Sequence, residues 1–253
     1  MKKGGKSMYD FSKSRDRILP RMAKPEVIES FKIEGGRVTI EAPAVIIMRM
    51  DLGRKILKLL EKCGRVCYKS EGKITKDSAP GLLQRFVDIG HFSVIEHESV
   101  TVKAICDRGV SHEWVRHRLA SYSQESSRYC NYSNRGFEFI CPFVHEKGTP
   151  GYDSWKKGVV GTAVQYLEQI NLGFPPEIAR DVLSTSLKTE LVCTMNLREW
   201  RHFFFLRCSP KAHPQIRELA VPLLREFQKR IPVIFSDFEV DLEKMAASTK
   251  IFT

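Results

Sequence analysis

The chain lacks any uncharged apolar run of the roughly eighteen residues that a membrane span requires. Its longest greasy stretches are short, Ala42 to Met48 and Phe203 to Leu206, so a soluble protein is expected. Residues 1–27 also lack the apolar core and small-residue cleavage site of a secretory signal, which makes the cytoplasm the expected compartment. Cysteine is too scarce for a disulfide framework. The seven residues at 63, 67, 106, 130, 141, 193 and 208 are an odd, scattered set, and reduced thiols follow. Cys63 and Cys67 share a helical spacing, but no second Cys/His pair at zinc-finger spacing follows them, so no metal site is expected. There is no glycine fingerprint of repeated dinucleotide-binding βαβ units and no repeat of fixed period, which excludes repeat architectures.

What is present is a chain of 253 residues, 42% hydrophobic and 28% charged, long enough to bury a substantial core. The net charge of +11 invites a nucleic-acid reading, but residues 1–27 hold eight Lys/Arg against three Asp/Glu. The moderate excess left on the remainder suits a pocket for anionic small molecules as well as a phosphate backbone. Residues 1–36, rich in Lys, Arg, Ser and Gly without periodicity, read as a basic, poorly ordered extension, and residues 37–253 as a single folded domain.

Periodicity predicts a strand over Val38–Arg49, helices over Leu52–Cys67 and Ala79–Ile89, a strand over Ser99–Cys106 and a helix from Val110 to about Ala120. A hydroxyl-rich loop, Ser121 to Arg135, leads into a strand at Phe137–Ile140 and a helix from about Asp153 to Asn171. A short helix from Pro175 to Leu183, a strand over Leu187–Met195, and helices over Leu197–Arg207 and Pro214–Arg230 complete the chain. Strands interleave with helices, so the fold class is α/β (α+β), with a central mixed sheet flanked by helices.

The densest polar segment is Arg116-His117-Arg118-Leu119-Ala120-Ser121-Tyr122-Ser123-Gln124-Glu125-Ser126-Ser127-Arg128-Tyr129. Guanidinium forks pair bidentately with phosphate and serine hydroxyls add short hydrogen bonds, so this is a candidate nucleotide-phosphate cradle. By composition alone a solvated basic helix end remains open, because cations there complement the helix dipole. A nucleic-acid module with Tyr122, Tyr129 and Tyr132 as stacking platforms is the rival of another class.

The order of residues sharpens the choice. Arg-His-Arg, seven intervening residues, then Ser is present as Arg116-His117-Arg118 with Ser126. His91-Phe92-Ser93-Val94-Ile95-Glu96-His97 precedes it. Pro176-Glu177-Ile178-Ala179-Arg180 and Thr194-Met195-Asn196-Leu197-Arg198-Glu199-Trp200-Arg201-His202-Phe203, then Leu206-Arg207, follow it. Together these segments resemble the flavin-dependent thymidylate synthases over roughly residues 38 to 235.

The resemblance implies an enzyme that methylates dUMP to dTMP, with FAD as the bound cofactor, NADPH as reductant and 5,10-methylenetetrahydrofolate as carbon donor. It implies flavin contacts at His91, Ser93, Arg116, His117, Arg118, Gln124, Asn196, Leu197, Arg198 and His202. For dUMP it implies Glu113, Trp114, Val115, Arg116, Gln124, Glu125, Ser126, Ser127, Arg128, Arg180 and Arg207. Arg207 would stabilise the charge formed as uracil N3 ionises, and Ser126 would orient the base. A homotetramer with FAD between subunits is implied, and partners are small molecules, with no nucleic acid and no membrane. Gln124 stands where many members have an acidic residue, Glu113 where others often have Gln, and His202 where some have Asn. A reduced flavin needs no enzyme nucleophile, so the cysteines are expected to be structural.

Overall fold

The computed structural model describes residues 24–50 and 53–251; residues 1–23 of the expected extension lie outside the described residues. Folded structure begins earlier than Arg37. Strand β1 (Val27–Ile33) pairs antiparallel with β2 (Gly36–Glu41). The turn between them uses Gly35 at φ +77, a left-handed conformation that costs glycine nothing. Ile28, Phe31 and Ile33 of β1 pack against the smaller core while Lys32 and Ser30 face out. Local charge hid this strand, because only one of its faces is apolar.

The strand expected over Val38–Arg49 is two strands. Pro43 has no N–H to donate to a ladder, and the chain breaks there into β2 and β3 (Ala44–Arg49). The break corrects the expectation of one central mixed sheet. The class, mixed helices and sheets, holds. The strands divide into a four-stranded antiparallel sheet, β3-β4-β7-β5, a three-stranded sheet, β1-β2-β6, and a small pair, β8-β9. The parallel pairing is β2 with β6.

The remaining elements run α1 (Arg54–Cys67), α2 (Ala79–Asp88), a 3₁₀ turn (Phe92–His97), β4 (Ser99–Asp107), α3 (Arg108–Trp114), β5 (Ala120–Gln124), α4 (Tyr132–Arg135) and β6 (Phe137–Ile140). Then come α5 (Pro150–Asn171), α6 (Pro176–Ala179), β7 (Lys188–Asn196), α7 (Leu197–Arg207), α8 (Pro214–Arg230), α9 (Pro232–Phe235), β8 (Glu239–Asp241) and β9 (Ala246–Ser248). The helix expected to reach Ala120 stops at Trp114, and the first residues of the expected loop form β5 at the edge of the larger sheet. An edge strand tolerates exposed Ser121 and Ser123, so its polarity disguised it.

Helix α7 packs Trp200, Phe203 and Phe204, each fully buried, against α8 and β4 in the larger core. Its three arginines have three fates. Arg198 is exposed, Arg201 is buried in a bidentate pair with Asp237 at 2.7 Å, and Arg207 turns to the site described below.

Lys188 of β7 joins the two main sheets by pairing with Glu41 of β2 at 2.9 Å and Glu138 of β6 at 3.0 Å. Burial pushes its ammonium pKa down, but hydrogen bonds to Glu41 and Glu138 outweigh burial and leave it raised. Lys188→Ala would strand the buried Glu41 carboxylate, and a loss of about 3 kcal/mol is expected in denaturant unfolding. The added change Glu41→Gln should recover part of that loss.

Candidate active site

Arg116, His117 and Arg118 lie in the turn between α3 and β5, which Tyr122 anchors by donating its hydroxyl to the carbonyls of Trp114 at 3.0 Å and His117 at 2.7 Å. The apolar parts of α3 and β5 thus hold a polar turn in one place. His117 is 2% exposed and points inward, whereas Arg116 and Arg118 are exposed and, among the described residues, make no ion pair.

Helix α7 delivers the second set. Asn196 caps it, its Oδ1 accepting from the Glu199 amide at 2.9 Å. Glu199 stands at the third helical position, where a capping box would turn its carboxylate back to the cap. Its oxygens go instead to two imidazoles. His117 Nδ1–H donates to Glu199 Oε1 at 2.9 Å, and His202 Nδ1–H donates to the same oxygen at 3.2 Å. On the far side of the ring, His117 Nε2 accepts from Arg207 Nε–H at 3.2 Å. Arg207 also donates from Nη1 to Glu113 Oε2 at 2.8 Å and from Nη2 to the Glu113 carbonyl at 2.9 Å. His213 Nδ1 lies 3.7 Å from the other Glu113 oxygen.

Burial, foremost, holds the His117 imidazole below its usual pKa of 6.5, helped by the Arg207 charge and opposed by Glu199. Burial alone would raise the Glu199 carboxyl, but hydrogen bonds from His117 and His202 outweigh it and keep the group low. The resting state is therefore neutral His117 beside ionised Glu199. His117, Glu199 and His202 place donor atoms within 4.8 Å of one another, close enough to hold a metal ion. Both His117 nitrogens are already engaged, however, and a metal on Nδ1 would force a proton onto Nε2 against the Arg207 donor.

Beside this cluster opens a pocket of about 400 Å³ lined by Glu96, Leu119, Asn196, Arg198, Glu199 and His202. Arg198 spans its edge to Glu96 of the 3₁₀ turn at 2.6 Å, and exposed Ser93 lies on that same turn. A separate group forms beyond β5, where Arg180 Nη1 donates to Ser127 Oγ at 3.0 Å and Arg128 pairs with Glu177 at 3.5 Å. Ser126 Oγ accepts from the Arg128 amide at 3.3 Å, which folds the segment into a tight turn.

Residues 52–233 match the family described as "Thymidylate synthase complementing protein". This chain belongs to that family. Among relatives of this thymidylate synthase complementing family, a "Flavin-dependent thymidylate synthase" from Pyrococcus furiosus is 38% identical over 68% of this chain and 72% of its own length. One from Geobacter sulfurreducens is 38% identical over 68% and 78%, and one from Mycobacterium tuberculosis is 34% identical over 77% and 84%. A solved structure, a UMP/dUMP methylase PolB from Streptomyces cacaoi bound with 5-Br dUMP, superposes with a TM-score of 0.65 at 26% identity. It covers 78% of this chain and 95% of that one.

Within this family member, the fold gathers most of the residues singled out from sequence but not all in one place. His117, Asn196, His202, Arg207 and Glu113 meet through the contacts above, and Arg198 rims the adjoining pocket. Ser126, Ser127, Arg128 and Arg180 form the second group. Trp114 and Leu197 are fully buried, so their side chains belong to the core and only their backbone remains for a ligand. Val115 is exposed, and the Glu125 carbonyl accepts from Arg108 Nη2 at 3.2 Å. Gln124 donates its amide to Ser111 Oγ at 3.0 Å and Thr189 Oγ1 at 3.2 Å. His91 bonds Tyr68 at 3.2 Å and packs on Phe86, away from the Glu199 cluster.

Glu199 is not among the site residues expected from sequence; the one signal for it was its place between Arg198 and His202. Burial pushes up the thiols of Cys106, Cys130, Cys193 and Cys208, so none of these four is poised as a nucleophile.

Proposed function

We propose that this chain is a flavin-dependent thymidylate synthase that converts dUMP to dTMP. The carbon comes from 5,10-methylenetetrahydrofolate, and the reducing power comes from NADPH through FAD. The observation that carries this reading is the Arg207 guanidinium, held by His117 and Glu113 and joined through His117 and Glu199 to a pocket that has Arg198 at its rim.

The residues fit a flavin dinucleotide. Arg116 and Arg118 leave cationic donors without carboxylate partners among the described residues, which suits a diphosphate. Asn196, Arg198 and His202 line the neighbouring pocket with polar groups. When bound, FAD supplies the hydride that completes the new methyl group. Arg207 stabilises the negative charge that develops as uracil N3 ionises, because a guanidinium stays protonated at any working pH. Ser126 orients the base, while Ser127, Arg128 and Arg180 hold the phosphate with hydroxyl and guanidinium donors.

The two groups of side chains lie at opposite ends of β5. Five residues of strand, a backbone span of roughly 14 Å, lie between them. In this reading the site is shared between subunits of a homotetramer, with FAD at the interfaces, in a cytoplasmic enzyme. Among the described residues, no helix is long and apolar enough to cross a membrane.

Anaerobic turnover of dUMP with purified protein, FAD, NADPH and methylenetetrahydrofolate, omitting each in turn, tests the reading. Product that requires every component is expected. Absence of product from folded, flavin-loaded protein would overturn it.

The kcat/KM for dUMP should fall as the pH drops below the ordinary imidazole value of 6.5. Neutral His117 accepts from Arg207, and protonated His117 would face it with a second donor. Because the folded pKa is lowered, this contribution is complete above 6.5 and disappears as pH falls through the folded value. A pH–rate profile with its acid limb below 6.5 is expected, and a flat profile down to the onset of unfolding would contradict it.

A further inference from the structure

We propose that Glu199 is a positioning residue: by accepting the Nδ1–H of His117 it fixes the imidazole tautomer, keeping Nε2 free to hold Arg207. The consequence for catalysis rests on the dUMP reading; the tautomer itself does not.

A guanidinium has five N–H donors and no acceptor. The Arg207 Nε–H therefore requires an unprotonated Nε2 on His117, and the ring proton must sit on Nδ1. The Glu199 carboxylate, 5% exposed, accepts that proton in a hydrogen bond, with Oε1 2.9 Å from Nδ1. Without it a buried N–H would lack a partner, and the Arg207 donor alone would oppose a proton on Nε2. With the proton there, two donors would face each other, and the guanidinium would lose its anchor on that side.

The groups around His117 act in one direction. Glu113 takes two further Arg207 donors from α3, so three of the five are committed within the chain and two remain for a ligand. His202 gives its own Nδ1–H to the same Glu199 oxygen, which joins the histidine lining the neighbouring pocket to the arginine of the cluster. His213 faces Glu113 from the remaining side. A carboxylate needed only to cap α7 would turn back toward Asn196. This one is buried between two imidazoles.

The full-length protein, labelled with ¹⁵N-histidine and loaded with FAD, gives the first readout. His117, assigned by loss of its signal in His117→Asn, should show a protonated Nδ1 and an unprotonated Nε2. In Glu199→Ala the proton should move to Nε2 or exchange between the two nitrogens. The KM for dUMP should rise on the order of ten- to a hundred-fold, and by more than kcat falls. Glu199→Gln retains a side-chain acceptor and should recover the tautomer and part of the KM even if the alanine variant folds poorly. An Nε2–H tautomer in the unaltered protein, or an unchanged tautomer and KM in Glu199→Ala, would overturn the proposal. A tautomer that shifts as expected in a protein that does not turn over dUMP supports the positioning role and rejects the functional reading instead.

Discussion

Arg207→Ala is expected to lower kcat/KM for dUMP by roughly a hundred- to a thousand-fold while leaving FAD bound, the loss found when a preorganised charge-stabilising donor is removed. Arg207 ends α7 with two anchors, the Nε2 of His117 and the carboxylate and carbonyl of Glu113. Its guanidinium is thus held in place before any ligand arrives, so no free energy is spent ordering it during the reaction. Arg207→Lys should recover little, because an ammonium cannot reach both anchors and still present two donors. Flavin absorbance of the purified variant and steady-state kinetics in dUMP are the measurements. The reverse pattern is expected of Arg198→Ala, which opens the rim of the adjoining pocket and should chiefly weaken FAD. A fully active Arg207→Ala protein would remove the central assignment.

The second large effect is complementation between two inactive variants. Arg207 and Arg128 lie in groups separated by the length of β5. If each dUMP site takes Arg207 from one subunit and Arg128 from another, then Arg207→Ala and Arg128→Ala homo-oligomers should both be nearly inactive. Co-expressed, the two chains assemble at random, and about a quarter of the sites receive both intact arginines. Activity should rise from near zero to about a quarter of the unaltered level, measured on tagged hetero-oligomers purified in two affinity steps. A mixture as inactive as its parents would place both arginines in a site built by one subunit.

Several elements were legible because local chemistry alone specifies them. The helix over Leu197–Arg207 and the one over Pro214–Arg230 have the bounds expected from periodicity, with Asn196 as cap and Pro214 at the first turn. The expected helix over Ala79–Ile89 agrees to within a residue at its end. The strand β5 was not legible. Its polar residues fit an edge position, and edges are created only when sheets assemble. Likewise Pro43 announces a break in a strand, but not that the two halves join different sheets.

The sequence by itself determined the family, the helices that carry the site, and the residue types available for binding anions, because motif order and helical spacing are local properties of the chain. Tertiary structure alone decided which of those residues work together. Arg201 and Arg207 are one residue type on one helix, yet the fold buries the first against Asp237 and sets the second beside His117. Glu199 meets His117 across 82 positions of chain. Contacts of that separation depend on how α7 packs on the larger sheet, and no local pattern of side chains encodes that packing.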